Sequence, residues 1–93
     1  MRPVLWTLSA LADVEGIRRY IGSFNPQAAR DMADRIIDVG NSLATLPNRG
    51  RRVPGTELRE IAVARPYIIR YRVDGDRVMI LRVRHGARRP TQP

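Results

Sequence analysis

An α+β domain is what this sequence predicts: a helical hairpin packed on one face of a mainly antiparallel four-stranded sheet, in the order β-α-α-β-β-β. Three observations carry that expectation. Two stretches of the first half set apolar residues at steps of three and four, the spacing of a helical stripe. The second half alternates apolar and charged residues around Asp74-Gly75-Asp76, a hairpin signal. Between them lies a segment, 47–56, with two prolines and two glycines, which reads as a loop.

Taken in order, Val4 to Leu8 is a short apolar run with β-branched and aromatic members, suited to a strand buried on at least one face. Ser9 offers an N-cap hydroxyl, and Leu11, Val14, Ile17, Ile21 and Phe24 follow on one stripe. Asn25-Pro26 restarts a helix, because asparagine caps and proline fits a first turn whose N–H groups have no partner. Ala29, Met32, Ile36, Val39, Leu43 and Leu46 form its stripe, and Pro47 stops it. Helices separated by so few residues pack as an antiparallel hairpin.

Three strands are expected next, over Glu57–Val63, Tyr67–Val73 and Arg77–Arg84, with Arg65-Pro66 breaking the first from the second. The hairpin loop decides which side chains share a face. A three-residue loop pairs Tyr67 with Val83, Ile69 with Leu81 and Tyr71 with Met79, which collects one apolar face. It leaves Ile68, Arg70, Arg72, Val78, Ile80, Arg82 and Arg84 on the other. The tail from Arg89 is expected to fray, and the whole of 1–93 to form one domain.

Composition narrows the chemistry. A chain of 93 residues buries only roughly 60–65% of its extended surface, so a partner that adds contacts is a natural expectation. The absence of cysteine excludes a disulfide framework and thiolate zinc sites, and a single histidine, His85, excludes a multi-histidine metal site. No cofactor is expected. No apolar run reaches the length of a membrane span, and a cytoplasmic location is the expectation.

The net charge of +8 is unevenly placed: residues 1–46 are neutral overall and residues 47–93 carry the entire excess, all of it as arginine. A bias toward arginine over lysine follows from base composition, but the asymmetry points to an acidic or polyanionic partner for the second half. Arg70, Arg72, Arg82 and Arg84 project to one face in the expected register, and four like charges on neighbouring strands repel unless something compensates them.

Certain stretches carry a family resemblance: Trp6 with Ala10 and the region of Asp13, Ile17-Arg18-Arg19-Tyr20-Ile21, and Pro26-Gln27-Ala28-Ala29. Others are Leu43-Ala44-Thr45-Leu46-Pro47-Asn48-Arg49-Gly50-Arg51, Tyr67-Ile68-Ile69-Arg70-Tyr71, and the ending Ile80 to Arg88 with its Val-Arg-His-Gly-Ala-Arg. In this order the chain resembles the RelE/ParE superfamily of type II toxin–antitoxin toxins, over about residues 3 to 89. The resemblance implies a toxin silenced by an antitoxin that lays a helix, and adds a strand, on it. Such a helix would cover what the sheet leaves open of Leu11, Val14, Ile17, Met32, Ile36 and Leu43. The superfamily holds ribosome-dependent mRNA endonucleases and poisons of DNA gyrase. The proline-led second helix, the Pro-x-x-Gly-Arg loop and the His-Gly-x-Arg ending place this chain closer to the ParE side, which implies gyrase as target. The alternatives are RelE-like cleavage of mRNA on the ribosome and a non-toxic nucleic-acid-binding module.

For the endonuclease, His85 is the side chain best suited to general acid or base work, with Glu57 or Glu60 as a base and Arg59, Arg65 or Arg82 as phosphate clamp. His85 is followed by Gly86, where some endonuclease members carry an aromatic. For target binding, the candidates are Arg70, Arg72, Arg82, Arg84, His85 and Arg88. Tyr67, Tyr71 and Trp6 are either core residues or platforms for bases. The Asn48–Arg52 loop is basic but lacks the lysine and spacing of a P-loop.

Overall fold

The computed structural model of the chain describes residues 1–86. The candidate contact Arg88 and the tail from Arg89 lie outside the described residues. Seven elements follow one another: β1 (Val4–Trp6), α1 (Leu8–Gly22), α2 (Pro26–Ser42), β2 (Arg51–Arg52), β3 (Leu58–Ala62), β4 (Tyr67–Asp74) and β5 (Arg77–His85). The strands form one sheet in the order β1-β5-β4-β3-β2, with β1 parallel to β5 and the other pairs antiparallel. Both helices pack on one face, where Ile36 and Leu43 meet Ile69, Tyr71, Val78 and Ile80, all fully buried.

The expected α+β order holds, with a fifth strand added. Arg51 and Arg52 pair with Glu60 and Arg59 inside what reads as loop. Two residues are too few to show a period in sequence, and only the pairing partner makes them a strand.

The first helix begins earlier than Ser9 suggests. β1 ends at Trp6, and the Thr7 hydroxyl caps α1 by accepting from the Ala10 amide at 3.0 Å. The same hydroxyl donates to the Leu81 carbonyl at 3.0 Å, which ties the helix start to β5. Its inward side is therefore Ala10, Val14 and Ile17, while Leu11 is 45% exposed and Phe24 73% exposed. The second helix starts at Pro26 with the Asn25 side chain capping Ala28, as its sequence signal requires. It ends at Ser42, before Pro47, which leaves Leu46 59% exposed.

The β4–β5 register differs from the expected one. Asp74 pairs with Arg77, so the loop is the two residues Gly75-Asp76, with Gly75 at φ +66° in the first loop position. A type II′ turn places glycine there. The register then shifts by one between Arg70 and Tyr71, with Leu81 as the additional residue on β5. Tyr67 consequently opposes His85, Ile69 opposes Val83 and Tyr71 opposes Ile80. Val78 and Ile80 are core residues, not members of the open face, and Met79 and Leu81 are half-buried. A bulge gains one apolar face from a loop length that alone would mix the two, and a bulge is invisible to a count of alternating residues.

Candidate functional site

His85 closes β5 on the helix side of the sheet. It shares that side with Val83, and its ring meets Tyr67 edge-on at 5.5 Å between centroids. Its Nδ1 is buried with no hydrogen-bond partner among the described residues. Beside it, an open pocket of about 320 Å³ is lined by Asp13, Gly16, Ile17 and Tyr20 from α1 and by Tyr67 and Val83 from the sheet.

Asp13 is the organising residue of this end. Its Oδ2 accepts from the Val83 amide at 2.8 Å and from Arg82 Nε at 2.8 Å, and its Oδ1 accepts from a second Arg82 nitrogen at 3.1 Å. The hydrogen bond and charge of Asp13 raise the pKa of Arg82 further above its already high ordinary value. β1 reaches only as far as Ile80, so the edge of β5 beyond it is open, and Thr7 and Asp13 take Leu81 and Val83 in place of a strand.

The arginines lie elsewhere. Arg70, Arg72 and Arg84 project from the face that the helices leave bare, since Tyr67, Ile69 and Tyr71 occupy the other. Repulsion among them is answered within the chain. Arg70 binds Glu60 through Nε at 2.9 Å, Arg72 lies 3.6 Å from Asp74, and Arg82 is held by Asp13. The demand for an outside anion that four like charges imply is thus met for three of them. Arg84 has no carboxylate partner among the described residues.

For RNA cleavage, the base, acid and phosphate clamp must converge. His85 stands on the helix side, Glu60 is occupied by Arg70 on the other face, and Glu57 is exposed ahead of β3. Arg65 is exposed in the β3–β4 turn at the same end as His85, where the Gly86 amide donates to the Pro66 carbonyl. Arg82 is committed to Asp13. Among the described residues the candidates are not brought to one point.

Tyr67 and Tyr71 are core residues. Tyr71 is fully buried, and its hydroxyl accepts from the Gly50 amide at 2.8 Å and donates to the Pro47 carbonyl at 2.8 Å. Arg59 adds a bond to the Gly50 carbonyl at 2.8 Å, so the 47–52 loop is fixed from both sides. Trp6 lies against Gly40, where a Cβ would come within 2.4 Å of the ring, and its Nε1 donates to Asn41. Asp13, Gly50 and Arg59 as anchors are what sequence reasoning missed. Gly50 and the region of Asp13 carried a signal only as parts of the stretches that bear the family resemblance, and Arg59 only as a candidate phosphate clamp.

Of the six apolar residues expected to meet an antitoxin, Ile36 and Leu43 are fully buried, and Val14, Ile17 and Met32 pack on the core. Leu11 is exposed, and with it stand Leu8 and Tyr20 on α1 and Phe24 in the turn after it, at 85%, 59% and 73% exposure. Among the described residues no three His, Cys, Asp or Glu side chains gather as metal ligands, and no helix is long and apolar enough to cross a membrane.

Comparison with known proteins places this architecture. A model of the ParE toxin of type II toxin–antitoxin systems matches residues 4–90. Toxin RelE2 of Caulobacter vibrioides is 51% identical over 88 residues, 95% of this chain and 99% of that protein. Putative toxin Y4kP of Sinorhizobium fredii is 40% identical over 84 residues, 89% of this chain and 86% of that one. In the chromosomal ParDE system of P. aeruginosa, a chain 26% identical superposes with a TM-score of 0.83, covering 91% of this chain and 96% of that one. The RelBE2 complex of Mycobacterium tuberculosis, at 22% identity and a TM-score of 0.62, shares the fold over 90% of this chain and 96% of that one. With its two helices on a five-stranded mixed sheet, the chain belongs to the ParE toxin family, within the RelE/ParE toxins of type II toxin–antitoxin systems.

Proposed function

We propose that this toxin acts as a ParE-like inhibitor of DNA gyrase and is neutralised by a cognate antitoxin that covers α1. The observation that carries the reading is the division of the sheet. His85, the single histidine of the chain and its best-suited general acid or base, lies on the helix side, while Arg70, Arg72 and Arg84 lie on the bare side. A phosphodiester met on that side, where Arg84 has no carboxylate partner among the described residues, is separated from His85 by the sheet itself. That arrangement suits a surface that docks on a protein–DNA machine better than one that cleaves RNA. The greater likeness to the ParDE toxin (TM-score 0.83) than to the RelBE2 toxin (0.62) supports the same side.

Leu8, Leu11, Tyr20 and Phe24 give an antitoxin helix an apolar stripe to cover. The test uses purified toxin free of antitoxin with gyrase and a relaxed plasmid. Loss of supercoiling with accumulation of enzyme-linked DNA breaks is expected, and addition of antitoxin restores activity. Unimpaired gyrase beside transcripts cut within codons in translating extracts would replace this reading with mRNA cleavage.

A further inference from the structure

Four arginines, Arg49, Arg51, Arg52 and Arg59, stand around Gly50 at the edge of the sheet opposite β1. Their hydrogen bonds go to neutral oxygens. Arg49 donates to the Ser42 hydroxyl at 2.7 Å, Arg52 to the Thr56 carbonyl at 3.1 Å, and Arg59 to the Gly50 carbonyl at 2.8 Å. Arg51 lies directly across from Glu60, but that carboxylate is bound by Arg70. Every ion pair among the described residues falls on other arginines: Arg18, Arg19, Arg70, Arg72 and Arg82. The edge therefore keeps its positive charge uncompensated while its backbone is held by the Tyr71 hydroxyl and by Arg59.

We propose that this edge, formed by β2 and the 47–52 loop, binds the phosphate backbone of duplex DNA. Preorganised guanidinium groups suit phosphate oxygens, and backbone contacts of this kind are sequence-independent. A protein partner would want an apolar anchor, yet the large exposed apolar side chains fall within residues 1–24, with Leu46 alone beside the 47–52 loop. A single strand would want an exposed aromatic to stack on, and Tyr71, the aromatic of this region, is fully buried. The rigid double helix, recognised by charge alone, is the polyanion that remains. This site goes beyond the gyrase reading, and its test contains no gyrase, so either can fail without the other.

The experiment measures fluorescence anisotropy of a labelled mixed-sequence duplex titrated with antitoxin-free toxin across a salt series. Wild type is expected to bind, with log affinity falling by about 3 per log unit of salt. The Arg51→Ala/Arg52→Ala variant is expected to bind about tenfold more weakly and to lose about 2 from that slope. Arg18→Ala/Arg19→Ala removes the same charge from α1 and is expected to bind within about twofold of wild type. Circular dichroism checks that both variants stay folded, as exposed positions should. Equal losses in the two variants would reduce the effect to net charge and overturn the proposal. So would absence of binding at low salt, or preference for single-stranded RNA over the duplex.

Discussion

The two ends of the sheet solve the same problem with different materials. At the β5 end, α1 closes an open strand edge with a carboxylate and a hydroxyl, Asp13 on the Val83 amide and Thr7 on the Leu81 carbonyl. At the β2 end, a loop is closed by cations and a phenol, Arg59 on the Gly50 carbonyl and Tyr71 on the Gly50 amide. Asp13 offsets the charge it meets on Arg82, so that contact is neutral as a pair. Arg59 satisfies a carbonyl and remains a full cation, so the other end is stable and still charged. The difference shows two ways to close an edge in a chain of net charge +8: one uses up an acid, and the other leaves its cations without a carboxylate partner.

The comparison is tested most severely at Gly50. A Cβ there would lie 2.7 Å from the Tyr71 hydroxyl and 2.8 Å from the Glu60 carbonyl. Gly50→Ala is expected to cost about 3 kcal/mol in chemical denaturation, through overpacking and a strained buried hydrogen bond. A loss below about 0.5 kcal/mol would show that the loop relaxes freely and is no anchor.

At the opposite end, Asp13→Ala leaves the Val83 amide without its partner and is expected to cost about 2 kcal/mol. Adding Arg82→Ala to that variant should cost little more, because the Arg82 side chain is 51% exposed and exposed ion pairs contribute little. If instead Arg82→Ala alone matches Asp13→Ala, the guanidinium rather than the amide is what Asp13 secures.

His85→Ala is expected to lose about 1 kcal/mol with the Tyr67 contact, and to arrest growth as wild type does at matched expression. Abolished toxicity in a folded variant would make His85 functional and would turn the Asp13–Tyr20–His85 pocket into the active centre.

The smallest effect belongs to Glu15. Hydrogen bonds from Arg18, above all, and from Arg19 hold its carboxyl at a pKa of about 2, against an ordinary 4.5. A depressed carboxylate contributes stability that is present above its unfolded value and is lost as pH falls through the folded one. A slight deficit of Glu15→Gln in melting temperature at neutral pH should accordingly shrink between pH 4.5 and 2. A deficit that persists unchanged at pH 2 would assign it to packing instead of charge.

Element order, the Asn25-Pro26 restart and the strand positions were legible in sequence because they rest on local signals: caps, breakers and periods. The inward side of α1 follows the expected stripe at Val14 and Ile17 but not at Leu11 or Phe24. Leu11 is the larger apolar side chain, yet Ala10 is the one close packing selects against β5. The hairpin faces were misassigned at Val78 and Ile80 because a bulge near Leu81 reverses the alternation midway. Of the candidate site, the basic character of the second half was legible, and its internal neutralisation was not. Asp13 meets Arg82 across 69 positions, and no local pattern links the two.

The position of β5 has a consequence for how the toxin comes into being. This interior strand, flanked by β1 and β4, is the last of the seven elements among the described residues. A nascent chain that has released both helices and three or four strands still lacks Val78, Ile80 and Val83, so β1 has no neighbour to pair with and the core is incomplete. Productive assembly waits for this element to clear the ribosome, and a product interrupted before it cannot fold around a partial core. Completion of the fold therefore waits on the end of translation, and a copy terminated before β5 is expected to go to proteases rather than to act as a weakened toxin.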